Sequence, residues 1–150
     1  MASLSKQEQN KQVVHQFFDA YNRHDAERMS QLVSSNTNYF FHLPGMPLSM
    51  DWNGRKQFVA AAIKAFPDID HHILDTVAEG DKVAVRFNIT GTHKGEFQGI
   101  PPTGKEISID GMDFLTIIDD KIAEEWLNSD MMGLMQQIGA IPASSSTARS

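Results

Sequence analysis

At 150 residues, with 41% hydrophobic and 21% charged side chains, the chain suits one globular domain that buries its own core. A net charge of -6 argues against a phosphate backbone or an anionic membrane surface as partner. The lack of cysteine excludes disulfides, thiol nucleophiles and thiolate metal sites.

The polar start MASLSKQEQNKQ has no signal-peptide character, and no apolar run approaches the ~20 residues of a membrane span. A soluble cytoplasmic protein is the expectation. Ser5 and Glu8 have capping-box spacing, and Val13, Val14, Phe17, Phe18 and Tyr21 then recur at helical intervals. Asp25 can cap a second short helix bearing Met29, Leu32 and Val33. NTNYFFHL reads as a strand ended by Pro44-Gly45, and a third helix runs from about Gly54 through Phe58, Ala62 and Phe66 to Pro67.

Beyond Pro67 the period changes to two. HHILDTVA and KVAVRFNIT flank Glu79-Gly80-Asp81, and EISIDGMDFLTII and KIAEEWLNSD flank Asp119-Asp120, so two hairpins are predicted. MMGLMQQI forms a last short helix before Gly139. Residues 1–142 are read as one domain and the serine-rich 143–150 as a disordered tail. Helices followed by an antiparallel meander predict an α+β fold with helices on one face of a curved sheet.

The alternation singles out polar residues. With Asp119-Asp120 as a two-residue turn, strict pairing sets Asp113 opposite Trp126, Gly111 opposite Asn128 and Ile109 opposite Asp130. All six then share the apolar face, and the parity of Val83, Val85, Phe87 and Ile89 carries His93 to the same side. Carboxylates aimed at an apolar interior are costly unless they line a cavity, so a pocket is predicted. Asp113 and Asp130 stand about four residues of register apart, or ~13 Å, too far to share a proton. Plainer roles stand beside these: Asp130 as the N-cap of the last helix, Asp113 bonded to backbone or indole, and His93 as a structural histidine. His71 and His72 are adjacent on a strand, face opposite ways and cannot chelate together, and no metal-site spacing is present.

GTHKGEFQGIPPTGK at 91–105, AFPDI at 65–69 and DDKIAEEWLNSD at 119–130 resemble, in this order, the SnoaL-like polyketide cyclases, also called ester cyclases. The resemblance runs from about residue 8 to 142. It implies a nuclear transport factor 2-like cone-shaped barrel: about three N-terminal helices packed on a strongly curved antiparallel sheet enclosing one pocket, in a homodimer. It also implies intramolecular aldol ring closure without metal or organic cofactor, an acid/base Asp mapping onto Asp130, and His93 in the same cavity. Many relatives carry Arg where Thr116 stands and His where Asp113 stands, a departure that bears on the chemistry more than on the pocket.

The first functional reading is therefore a cofactor-independent enzyme acting on a small, largely apolar carbonyl compound. Asp130, His93 and Asp113 are its candidate catalytic residues. Asn128 would bind the developing enolate oxygen, and Trp126, Phe41, Phe87, His42 and Thr116 complete the candidate ligand-contacting set. A second reading is a non-catalytic carrier with the same pocket, and a third is a partner protein using the outer sheet face around Arg86, Asn88 and Met112.

Overall fold

The computed structural model describes residues 4–142; the predicted tail at 143–150 lies outside them. Three capped helices lie in the N-terminal half. Ser5 Oγ accepts the Glu8 amide at 3.2 Å to start α1 (Lys6–Asn22), and Asp25 accepts the Arg28 amide at 3.0 Å to start α2 (Ala26–Gln31). The third, α3 (Trp52–Ala65), begins two residues before Gly54 because Asp51 accepts the Gly54 amide at 3.0 Å. Val13, Val14, Phe17, Phe18 and Tyr21 form the buried stripe of α1.

Five strands make one sheet: β1 (Phe40–His42), β2 (Asp70–Glu79), β3 (Lys82–Thr92), β4 (Glu106–Ile118) and β5 (Lys121–Ser129). Their order is β1-β5-β4-β3-β2. The meander is antiparallel as predicted, but β1 pairs parallel with β5, so the sheet is mixed and not closed. Both hairpins turn where the sequence places them. Asp119 and Asp120 have φ of 51° and 61°, the left-handed geometry of a tight two-residue turn. A last helix, α4 (Met131–Gln137), follows β5.

One register differs from strict pairing, and the site depends on it. Ile117 pairs with Ile122, yet Thr116 pairs with Glu124, so Ala123 is an extra residue in β5. The bulge reverses the facing of everything after it. Asp113 lies opposite Leu127, Phe114 opposite Trp126, and Met112 opposite Asn128. Trp126 and Asn128 therefore face outward, which corrects the expectation that they share the core face with Asp113. Glu125, which strict pairing would turn outward, is fully buried.

The long 93–105 connection is tied to the end of α3. The Lys94 and Gly95 amides donate to the Ala65 carbonyl at 2.9 and 3.1 Å. A Cβ on Gly95 would stand 2.1 Å from the Lys64 carbonyl oxygen, so only glycine allows this approach.

Candidate active site

Between the helices and the inner sheet face lies a cavity of about 190 Å³. Phe18, Phe58, Phe66, Phe87, Ile107 and Ile109 are among its apolar walls; Tyr21, Arg55 and His71 are its buried polar groups. Glu96, Phe97 and Gln98 bring the long connection to it, and Ser129 and Met131 bring the β5–α4 junction. A wider hollow of about 840 Å³ shares Phe58, Gln98, Leu127, Ser129 and Met131 with this cavity. Asp110, Asn128 and Asp130 line the hollow alone. An inner apolar chamber thus adjoins an outer hollow that bears the carboxylates of Asp110 and Asp130, at the start of α4.

His71 is held by a helix residue. Asn22 Oδ1 accepts the His71 amide at 2.7 Å, Asn22 Nδ2 donates to the His71 carbonyl at 3.1 Å, and His71 Nδ1 lies 3.0 Å from Asn22 Oδ1. Burial, reinforced by the Arg55 charge, lowers the His71 pKa to about 3, so the ring is neutral at physiological pH. Burial raises the Tyr21 hydroxyl to about 12.

From Arg55 in the cavity wall an ionic cluster extends into the core. Arg55 donates from Nε and Nη2 to the two oxygens of Glu125 at 3.2 and 3.3 Å, both side chains being essentially fully buried. Tyr39 donates its hydroxyl to Glu125, and the Arg55 guanidinium lies 4.3 Å over the Phe41 ring. Burial alone would raise the Glu125 pKa, but the Arg55 charge and the converging hydrogen bonds override it and hold the carboxyl below its ordinary value. Asp113, 1% exposed, has no hydrogen-bond partner in good geometry for either oxygen. Burial first, and the Glu125 charge second, raise its pKa well above the ordinary carboxylate range. The cluster therefore holds one cation, one anion and one neutral acid.

The predicted residues scatter across five places. Asp113 and Phe41 are buried with the ionic cluster, and Phe87 lines the inner cavity. His93 is fully buried but lines neither space: the Thr103 amide donates to its Nδ1 at 3.2 Å, pinning the Pro-Pro connection. Asp130 caps α4, Oδ1 accepting the Gly133 amide at 2.8 Å, while its side chain remains exposed in the outer hollow. Asn128 faces the same hollow from the outer sheet face. His42 and Trp126 stack on each other at 3.7 Å outside the sheet, with His42 bonded to Glu124, so neither contacts the inner chamber. Thr116 also faces outward and accepts from Lys82 Nζ at 2.7 Å. The expectation that Asp113, His93, Asn128 and Asp130 line one pocket is thus overturned, chiefly by the Ala123 bulge.

Sequence reasoning missed Arg55, Glu125, Tyr39, Tyr21, Asn22 and the inward role of His71. One signal was readable. Trp52, Arg55, Val59, Ala62 and Phe66 lie along one helical stripe, and a cation there requires a buried anion. Among the described residues no group of three His, Asp or Glu side chains could hold a metal ion.

Comparison with known proteins agrees with this architecture. The profile of SnoaL-like polyketide cyclases matches residues 11–138. No curated protein gives a significant match. Among solved structures, AclR from Streptomyces galilaeus, provisionally described as a hydroxylase, is 26% identical with a TM-score of 0.86, covering 95% of this chain and 88% of its own. IdmH from Streptomyces antibioticus, provisionally described as a polyketide cyclase, is 29% identical with a TM-score of 0.80, covering 87% of this chain and 99% of its own. TsrD from Streptomyces laurentii is 25% identical with a TM-score of 0.78, covering 93% and 100%. Family profile and fold agree over most of the chain, which therefore belongs to the SnoaL-like polyketide cyclase family.

Proposed function

We propose that the protein is a cofactor-independent acid–base enzyme acting on a small, largely apolar carbonyl compound, with intramolecular aldol ring closure as its specific reaction. The observation that carries this reading is the adjoining of an apolar chamber and a carboxylate-bearing hollow at the β5–α4 junction. The apolar body of the substrate occupies the chamber, and its reacting carbon reaches Asp130. Asp130 Oδ1 is occupied by the Gly133 amide, which fixes the carboxylate's direction and leaves Oδ2 to take the proton α to the carbonyl. His93 and Asp113 keep supporting roles here: the first positions the connection beside the chamber, and the second, as a neutral acid, stands against Glu125.

Exchange of α-protons for deuterium tests the reaction class without the natural substrate. Phenylacetone in D2O should exchange faster with the protein than without it. Asp130→Asn keeps a good N-cap and should lose the acceleration by roughly 10²–10⁴-fold with an unchanged melting temperature. Full activity in that variant would remove Asp130 from the chemistry.

A carrier function is the second reading, favoured by the exposure of Asp130 and its complete account as a helix cap. It predicts ligand binding with no exchange. A homodimer through the outer sheet face also belongs to the proposal. Phe40, Met112, Phe114 and Trp126 are exposed there on neighbouring strands, a contiguous apolar surface of the kind that interfaces cover.

A further inference from the structure

The inner chamber is sized for one ring. Its volume of about 190 Å³ is close to the ~150 Å³ of an apolar protein cavity known to take up benzene. A six-membered ring with one or two small substituents fits, and anything larger must extend into the outer hollow.

Its polar lining is more selective than its size. The amide orientation of Asn22 is fixed by the β2 backbone, because the His71 N–H must meet an oxygen and the His71 carbonyl must meet an NH2 group. Asn22 therefore turns its oxygen to His71 Nδ1, and an amide oxygen only accepts. The imidazole proton must sit on Nδ1, leaving the lone pair on Nε2. Among the described residues no donor reaches Nε2. The ring cannot swing away to find one, since Tyr21 lies 4.4 Å and Phe18 5.3 Å from its centroid.

The chamber thus presents an oriented acceptor among aromatic walls. It offers little to a charged ligand, because Arg55 is paired with Glu125 through Nε and Nη2, its unpartnered Nη1 is shielded from the open space, and His71 is neutral. A ligand that fills the space and satisfies Nε2 needs an uncharged donor on a compact ring. We propose that the inner chamber selects a neutral monocyclic compound bearing a hydroxyl, a phenol or a cyclic enol, whose O–H donates to Nε2 of His71. This rests on the reading of the chamber as the ligand site, and it names the class of ring that enters.

p-Cresol and p-xylene test it, since they differ only by a hydroxyl in place of a methyl. Without a partner for the hydroxyl an apolar chamber favours p-xylene. The wild-type protein should instead bind p-cresol at least about tenfold tighter, the discrimination of one hydrogen bond in a desolvated site. His71→Phe should abolish that preference while p-xylene still binds. If that variant does not fold, 15N spectra of the wild-type imidazoles decide: Nδ1 should carry the proton, and the Nε2 resonance should move with p-cresol and not with p-xylene. Equal affinities, no binding of either ring, or a proton on Nε2 would overturn the inference. Asp130→Asn should leave p-cresol binding intact, so loss of proton exchange with retained cresol selectivity separates the two proposals.

Discussion

On the inner face of β4 and β5, Asp113 and Glu125 are enclosed with Arg55 and Tyr39; on the outer face, Glu124 and Thr116 meet His42 and Lys82 at the surface. The residue types are nearly alike, and one extra residue at Ala123 decides which of two adjacent glutamates goes inside. What separates the two regions is the cost of error. An exposed pair can lose a partner and be rehydrated, whereas a buried one leaves a charge with nothing to replace it.

The largest effect should therefore come from Glu125→Ala, which strands Arg55 in the core. A loss of about 3–5 kcal/mol in urea unfolding is expected, while removing Thr116 or His42 should change stability by less than about 0.5 kcal/mol. Comparable losses on the two faces would remove the distinction.

The second effect is pH-dependent. Asp113 ionises near ~3.9 when unfolded but keeps its proton well above that in the fold. Its contribution is complete below the unfolded pKa and is lost as pH rises towards the folded one. Asp113→Asn removes that loss. The variant should melt higher than wild type at pH 8, with the gain shrinking towards pH 4. A difference independent of pH would contradict a neutral Asp113.

Smaller changes belong to the rim and the outer face. Asp130→Ala should cost ~1 kcal/mol through the lost cap, and Asp130→Asn almost nothing. Trp126→Ser should barely alter the stability of the protomer, but light scattering should show weaker self-association at micromolar concentration if the outer face is the dimer surface. An unchanged dimer would place the interface elsewhere.

Much of the fold was legible because local chemistry and tertiary context agree. Ser5, Asp25 and Asp130 cap helices at the positions their spacing gives, and Asp119-Asp120 turns the last hairpin. His93 keeps its inward parity because β3 runs without a shift through Gly91 against β4. The outer half of the site was not legible, since a bulge is a decision of the whole sheet. Ile122 and Leu127 are five apart, opposite in strict parity yet both buried, and only a shift between them allows that. The parallel β1–β5 pair is likewise set by packing, because three residues of strand carry no sign of their partner's direction.

The claim that joins these regions is that the inner chamber and the Asp130 rim form one site. Inhibition of phenylacetone α-proton exchange by p-cresol measures it directly. A shared site predicts competitive inhibition, with KM rising as p-cresol is added and kcat unchanged. If p-cresol binds but exchange proceeds at the same KM and kcat, chamber and rim work independently and the account is wrong.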